Sequence, residues 1–95
     1  MSASQVPVAL FRVGRIVATP NALDKLTQQD ILTAIRRHQA GDWGDVCEDD
    51  RNDNDRALTE CTRLVSVYHN ENQVKFWVIT EADRSATTVL MPEDY

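Results

Sequence analysis

Ninety-five residues suffice for one hydrophobic core and not for two. With 42% apolar and 26% charged residues and only three Gly and three Pro, the composition is that of a folded globular domain; it excludes a disordered chain, a collagen-like repeat and a disulfide-stapled knot. The formal net charge is −5, yet residues 42–60 alone hold eight acids against two bases, so one segment carries all of the excess and direct binding to DNA is not expected.

No apolar run reaches the roughly 20 residues that span a bilayer. The opening MSASQVPVALFR lacks the basic start and continuous apolar centre of a secretory signal. The expectation is a single cytoplasmic domain over 1–95, with 1–8 flexible and no membrane partner. Cys47 and Cys61 belong to no C-x-x-C pair, which favours free thiols in a reducing compartment over a disulfide or a zinc site.

In chain order, LFRVGRIVA (10–18) mixes branched and aromatic residues and reads as a first strand. Thr19-Pro20 reads as an N-cap followed by proline at the first helical position, opening a short helix with Ala22, Leu23 and Leu26 on its apolar side. Thr27 and Asp30 form a capping box for a second helix, whose face is Ile31, Ala34, Ile35 and His38 at i, i+3, i+4 and i+7 spacing. Gly41 ends that helix, and GDWG (41–44) is turn chemistry leading into an acidic stretch that runs to about Asp55, with a brief helical turn over 56–61. Three β-rich runs follow, at 63–69, 73–80 and 86–91, separated by connectors of hairpin length. The predicted fold class is α+β: an N-terminal strand, two helices, then a three-stranded antiparallel meander with the helices on one sheet face. Alternation places Val65, Val67, Val74, Phe76 and Val78 toward the helices, with either Thr87, Val89 and Met91 or Leu90 and its neighbours beside them, and it places Ser66, Tyr68, Lys75 and Trp77 outside.

The acid run does not make an EF-hand. Starting at Asp50, position 6 is Asp55 instead of glycine and position 12 is Cys61; starting at Asp49, Arg51 stands at position 3. No metal or other cofactor is expected. His38 lies on the apolar helix face and reads first as a packed histidine. A looser set, His38, Tyr68, Lys75, Arg84 and Thr88, has the residue types of a metal-independent RNase: a proton-transfer group with cations to hold a phosphate. Trp43, ringed by Asp42 and Asp45, reads either as an interface anchor or as a plug of the core.

HQAGDWGDVCEDDRNDNDRAL (38–58), KFWVITEADRSATTVLMPEDY (75–95) and GRIVATPNAL (14–23) resemble a small bacterial family frequent on plasmids and phages, whose members share H-x-x-GDWG, a TEADRS-type turn and a closing PEDY or PEEY. In outline the strand, helices and meander are also similar to RNase folds of the barnase, colicin and RelE group, a likeness of fold that does not carry function with it. The resemblance implies a protein of mobile genetic elements. Together with the acidic segment it leads to an expected protein-binding module that inhibits a host defence nuclease complex of the CRISPR or restriction kind. Asp42, Trp43, Asp45, Glu48, Asp49, Asp50, Asp53 and Asp55 would meet a partner's basic surface, such as that of a nucleic-acid-binding complex. The alternatives are the RNase above and a structural module that forms a homodimer through an exposed sheet face.

Overall fold

A computed structural model describes residues 9–95; the stretch 1–8, expected to be flexible, lies outside them. The elements are β1 (Arg15–Ala18), α1 (Pro20–Lys25), α2 (Gln28–Gln39), α3 (Glu48–Glu60), β2 (Leu64–His69), β3 (Lys75–Thr80) and β4 (Ala86–Leu90), closed by a 3-10 turn at Pro92–Asp94. The strands form one sheet in the order β1-β4-β3-β2. The meander β2-β3-β4 is antiparallel as expected, but β1 runs parallel to β4, so the sheet is mixed.

Local sequence chemistry sets the helix starts. The Thr19 hydroxyl accepts the Ala22 N–H at 3.1 Å ahead of Pro20. The Thr27 hydroxyl accepts the Asp30 N–H while the Asp30 carboxylate accepts the Thr27 N–H, both at 3.0 Å. Two orphan donors at the start of α2 are thereby satisfied reciprocally. At its other end, Ala40 caps α2 and Gly41 turns the chain at φ +83°.

Three expectations change. The first strand is shorter than 10–18, because Leu10 and Phe11 are drawn to the end of α2: the Leu10 N–H donates to the Gln39 carbonyl at 2.8 Å, and the Gln39 side chain donates to the Phe11 carbonyl at 3.2 Å. The acidic stretch is not a loop but the 13-residue helix α3, which starts with Glu48, Asp49 and Asp50 in the turn where the helix dipole favours negative charge. The faces of β2 are the reverse of those read from hydrophobicity: Leu64, Ser66 and Tyr68 are buried against the helices, and Val65 and Val67 lie on the outer face. In β3 and β4 the inward residues are Phe76, Val78, Thr80, Thr87 and Val89, in agreement with one of the two expected registers.

The main core joins Ala22, Leu26, Ala34 and Ile35 of the helices to Tyr68, Phe76, Val78, Val89 and Met91. A smaller core, Trp43, Ala57 and Leu64 with Phe11, Val46 and Leu58 around it, holds α3 to the start of β2. Fastening of α3 is also polar. β2 is an outer strand whose Val65 and Val67 backbone groups would be left bare; Asn54 of α3 donates to the Val65 carbonyl at 2.8 Å and accepts the Val65 N–H at 3.0 Å. One side-chain amide there does the work of a missing neighbouring strand. Asn54→Ala leaves both groups without that partner, and the expected loss is about 2 kcal/mol in urea unfolding, with Asn54→Asp retaining only the accepted bond and losing nearly as much.

Candidate functional site

All eight carboxylates of residues 42–60 are exposed, as their charge requires, but they divide by what they touch. Asp42 accepts from Arg37 at 2.7 Å, which holds its carboxyl below the usual carboxylate range. Asp45 meets the His69 ring at 2.6 Å, Asp55 accepts the Trp43 indole N–H at 3.0 Å, and Asp53 stands 3.7 Å from Arg56. Among the described residues, Glu48, Asp49, Asp50 and Glu60 have no side-chain partner. Asp50 and Asp53, one turn apart, line a groove of about 220 Å³ together with Val46, Arg63, Val65 and Val67. The far end of α3 is closed by Arg84, whose guanidinium donates to the carbonyls of Ala57 at 2.9 Å and Thr62 at 2.7 Å. The helix therefore presents its acids from a frame pinned at its middle, by Asn54 and Asp55, and at its C-terminal end, by Arg84.

Trp43 is not an exposed anchor. It is 3% exposed, stacked on Phe11 and set edge-on to His38, so the expected contact residue is a core plug that Asp55 orients through the indole N–H. The segment around it seals the rest of the β2 edge: the Val67 N–H donates to the Trp43 carbonyl at 3.0 Å, and the Asp45 N–H donates to the Val67 carbonyl at 2.8 Å. Gly44 lies between them at φ +76°, where a Cβ would collide with the Val67 carbonyl oxygen, so the last glycine of GDWG is required by this contact.

The five residues of the RNase set do not share a cleft. His38 is fully buried. The Tyr68 hydroxyl is buried and donates to the Asp42 carbonyl at 2.5 Å, and burial pushes its pKa up to about 12. Arg84 is occupied with backbone carbonyls at the end of α3, in a turn that holds it at φ +62°. Lys75 is exposed and shares the outer sheet face with Thr88, the side opposite His38 and Tyr68. Proton-transfer and phosphate-binding groups are thus separated by the sheet itself.

His38 has instead a structural role that can be followed hydrogen by hydrogen. Its Nδ1 lies 2.6 Å from the Ser66 hydroxyl and its Nε2 2.8 Å from that of Thr80; Thr80 is 2.6 Å from Thr87, which donates to the Val13 carbonyl at 2.8 Å. Because Thr87 spends its only hydrogen on a carbonyl, Thr80 donates to Thr87 and accepts from Nε2–H, which leaves Nδ1 to accept from Ser66. Every member is satisfied with a neutral imidazole, and a second ring proton would find Ser66 already donating. Burial, reinforced by the positive charge of Arg84, pushes the His38 pKa down to about 4. The helical spacing places His38 in the core but does not disclose its partners, nor the roles of Asn54 and Arg84. The available signal was Asn54 itself, a poor helix former in the middle of what becomes a helix.

A second cleft, of about 170 Å³, opens between α2 and the β2-β3 turn beside Asp30, Thr33, Arg37, Asn70 and Glu71. Among the described residues no group of three or more His, Cys, Asp or Glu is arranged to hold a metal ion, and no helix is long and apolar enough to cross a membrane. Cys47 and Cys61 are free and exposed at the two ends of α3. Comparison with protein-family models, with curated proteins and with solved structures finds no match.

The imidazole gives a pH dependence whose sign follows from its lowered pKa. The unfolded chain binds a proton near pH 6.5 and the folded chain only near 4, so stability is complete above 6.5 and declines as pH falls through that window. The expected loss is about 3 kcal/mol between pH 7 and pH 4. Urea unfolding at the two pH values should show it, and His38→Gln should flatten the slope across this window while lowering stability at pH 7.

Proposed function

We propose that the protein is a small acidic protein-binding module that docks through α3 on the basic surface of a partner. A complex that handles nucleic acid offers such a surface, and the resemblance to a family of mobile elements makes a host defence nuclease complex of the CRISPR or restriction kind the partner to test, with the module as its inhibitor. The observation that carries the reading is the clamped acidic helix: Glu48, Asp49, Asp50 and Glu60 stand exposed without side-chain partners among the described residues, on an element fixed by Asn54, Asp55 and Arg84. A charged surface held in one orientation speeds oriented encounter and suppresses partners of the wrong sign.

The groove beside the helix supplies what charge alone lacks. Its valine walls can cover the methylene stem of a lysine or arginine while Asp50 and Asp53 receive the charged head. Trp43 and Asp55 serve as internal supports of the platform, and Asp42 and Asp45, held by Arg37 and His69, as its rim.

The test is binding of the purified protein to guide-loaded CRISPR effector complexes and to restriction complexes at low salt. Asp49→Asn, Asp50→Asn and Asp53→Asn in one chain leave the Trp43–Asp55 bond intact. The expected result is a loss of affinity of about tenfold or more, chiefly through slower association. Binding that is unchanged by the triple substitution, or insensitive to salt, would overturn the reading.

A further inference from the structure

The two edges of the sheet are treated differently. The β2 edge is closed by the Asn54 amide on Val65 and by residues 43–45 on Val67. The β1 edge has no such cover among the described residues, and its two central side chains are exposed, Ile16 by 47% and Val17 by 37%. The Arg15 N–H donates to the Ser85 carbonyl and the Thr19 N–H to the Val89 carbonyl, both at 3.0 Å. Along a strand the backbone groups alternate in direction, so those of Ile16 and Ala18 face away from β4 into the open edge. Bare donors and acceptors beside apolar side chains are a template for another strand.

We infer that β1 pairs antiparallel with β1 of a second copy of this chain, about a two-fold axis at Val17, to form one continuous eight-stranded sheet. The outward-facing residues fix the register: Ile16 of each copy lies opposite Ala18 of the other, and each such pair exchanges both of its N–H···O bonds. The same register sets Arg15 opposite Thr19 of the other copy. The Thr19 hydroxyl donates to the Asp94 carboxylate at 2.7 Å, and Glu93 lies beside it on Asn21 and Lys25. Arg15 is exposed and has no side-chain partner among the described residues, so the pairing brings an unpaired guanidinium to a carboxylate of the second copy and opposes no like charges.

Closure also follows from the edges. With β2 sealed, β1 of one copy has no free β2 to add to, so head-to-tail growth into a filament is blocked and the two-fold pair is the solution that ends. The acidic helix lies at the far side of the sheet, three strand spacings or about 14 Å from β1. The two α3 platforms therefore stand at opposite ends of the dimer, away from each other's field. This inference is independent of what α3 binds.

Sedimentation equilibrium across the micromolar to millimolar range tests it. The unaltered chain should show a reversible monomer–dimer equilibrium in the micromolar range, as suits a small interface. Ile16→Pro removes an N–H that faces the open edge and leaves the bonds from Arg15 and Thr19 to β4 in place; it should give a folded monomer with the same far-UV circular dichroism. Arg15→Glu keeps every backbone group and should weaken the dimer by about tenfold through repulsion at Asp94. A chain that stays monomeric at millimolar concentration, or a dimer that survives Arg15→Glu with unchanged affinity, would overturn the inference, as would a dimer intact in folded Ile16→Pro.

Discussion

A fully buried imidazole with both nitrogens occupied is the constraint on which most of the molecule turns. The ring of His38 hangs from α2 into the space between the helix and the sheet, and it accepts one arrangement of β2, β3 and β4 beneath it. Moving β2 by one residue would bring Val65 and Val67 inward, which hydrophobicity alone favours, and would leave Nδ1 without a donor; an unpaired polar group in the interior costs more than the extra methyl groups return. With Ser66 inward, Tyr68 is inward too. Its hydroxyl then reaches the Asp42 carbonyl while Arg37 lies over its ring at 4.5 Å from the centroid. That contact fixes GDWG, and GDWG lays the Trp43 carbonyl and the Asp45 amide along Val67. The histidine thus sets the strand face, the strand face sets the turn, and the turn seals the edge.

Helix α3 is held on that sealed edge by direction more than by greasiness. Only Asn54 and Ala57 of its 13 residues are buried, with Leu58 beside them, so hydrophobic burial supplies little of its attachment. Polar pins compensate. The Asn54 amide reads both backbone groups of Val65, the Trp43 indole reaches Asp55, and the Arg84 guanidinium gathers carbonyls at the C-terminal end where positive charge suits the dipole. Hydrogen bonds of this kind fix rotation about the helix axis, which an apolar contact alone does not. The acids are consequently displayed in a set orientation, and the proposed docking depends on that orientation as much as on the charge.

Much of the fold is legible in the sequence, and the parts that are not have identifiable causes. The caps at Thr19 and Thr27, the helix face through His38 and the three-strand meander follow from local spacing and turn chemistry, which act over a few residues. The faces of β2 do not, because Ser66 is chosen by a histidine 28 positions away. Nor does α3, whose acidic, Asn-containing stretch is a poor helix by propensity and becomes one through Asn54, Asp55 and Arg84, contacts to residues 11, 12 and 27 positions away. The strings that stand out in the sequence prove to be fold devices: Asp83 accepts the Ser85 N–H in the turn before β4, Asp94 accepts from Thr19 and Met91, and Tyr95 sets its ring against Trp77 at 4.9 Å. Within the candidate site the concentration of charge is plain in the sequence, whereas Trp43 stays open there between anchor and core plug, because local spacing does not tell which side of the turn faces the core.

Concentrating negative charge on one helix carries a cost. Like charges a turn apart destabilise an isolated helix by about 0.2–0.5 kcal/mol for each pair, and only the first turn, Glu48 to Asp50, is favoured by the dipole. Solubility requires no such arrangement, since the same net charge spread over the surface would keep the protein dispersed with less repulsion. What a clustered, clamped and outward set of carboxylates offers is a steep local field of fixed direction at one end of the sheet. The opposite end, where Arg15 lies on the β1 edge, carries no acidic helix and, among the described residues, no such seal. The molecule is therefore divided by physics into an end suited to electrostatic capture and an end suited to backbone pairing, and the buried histidine between them holds the two in register.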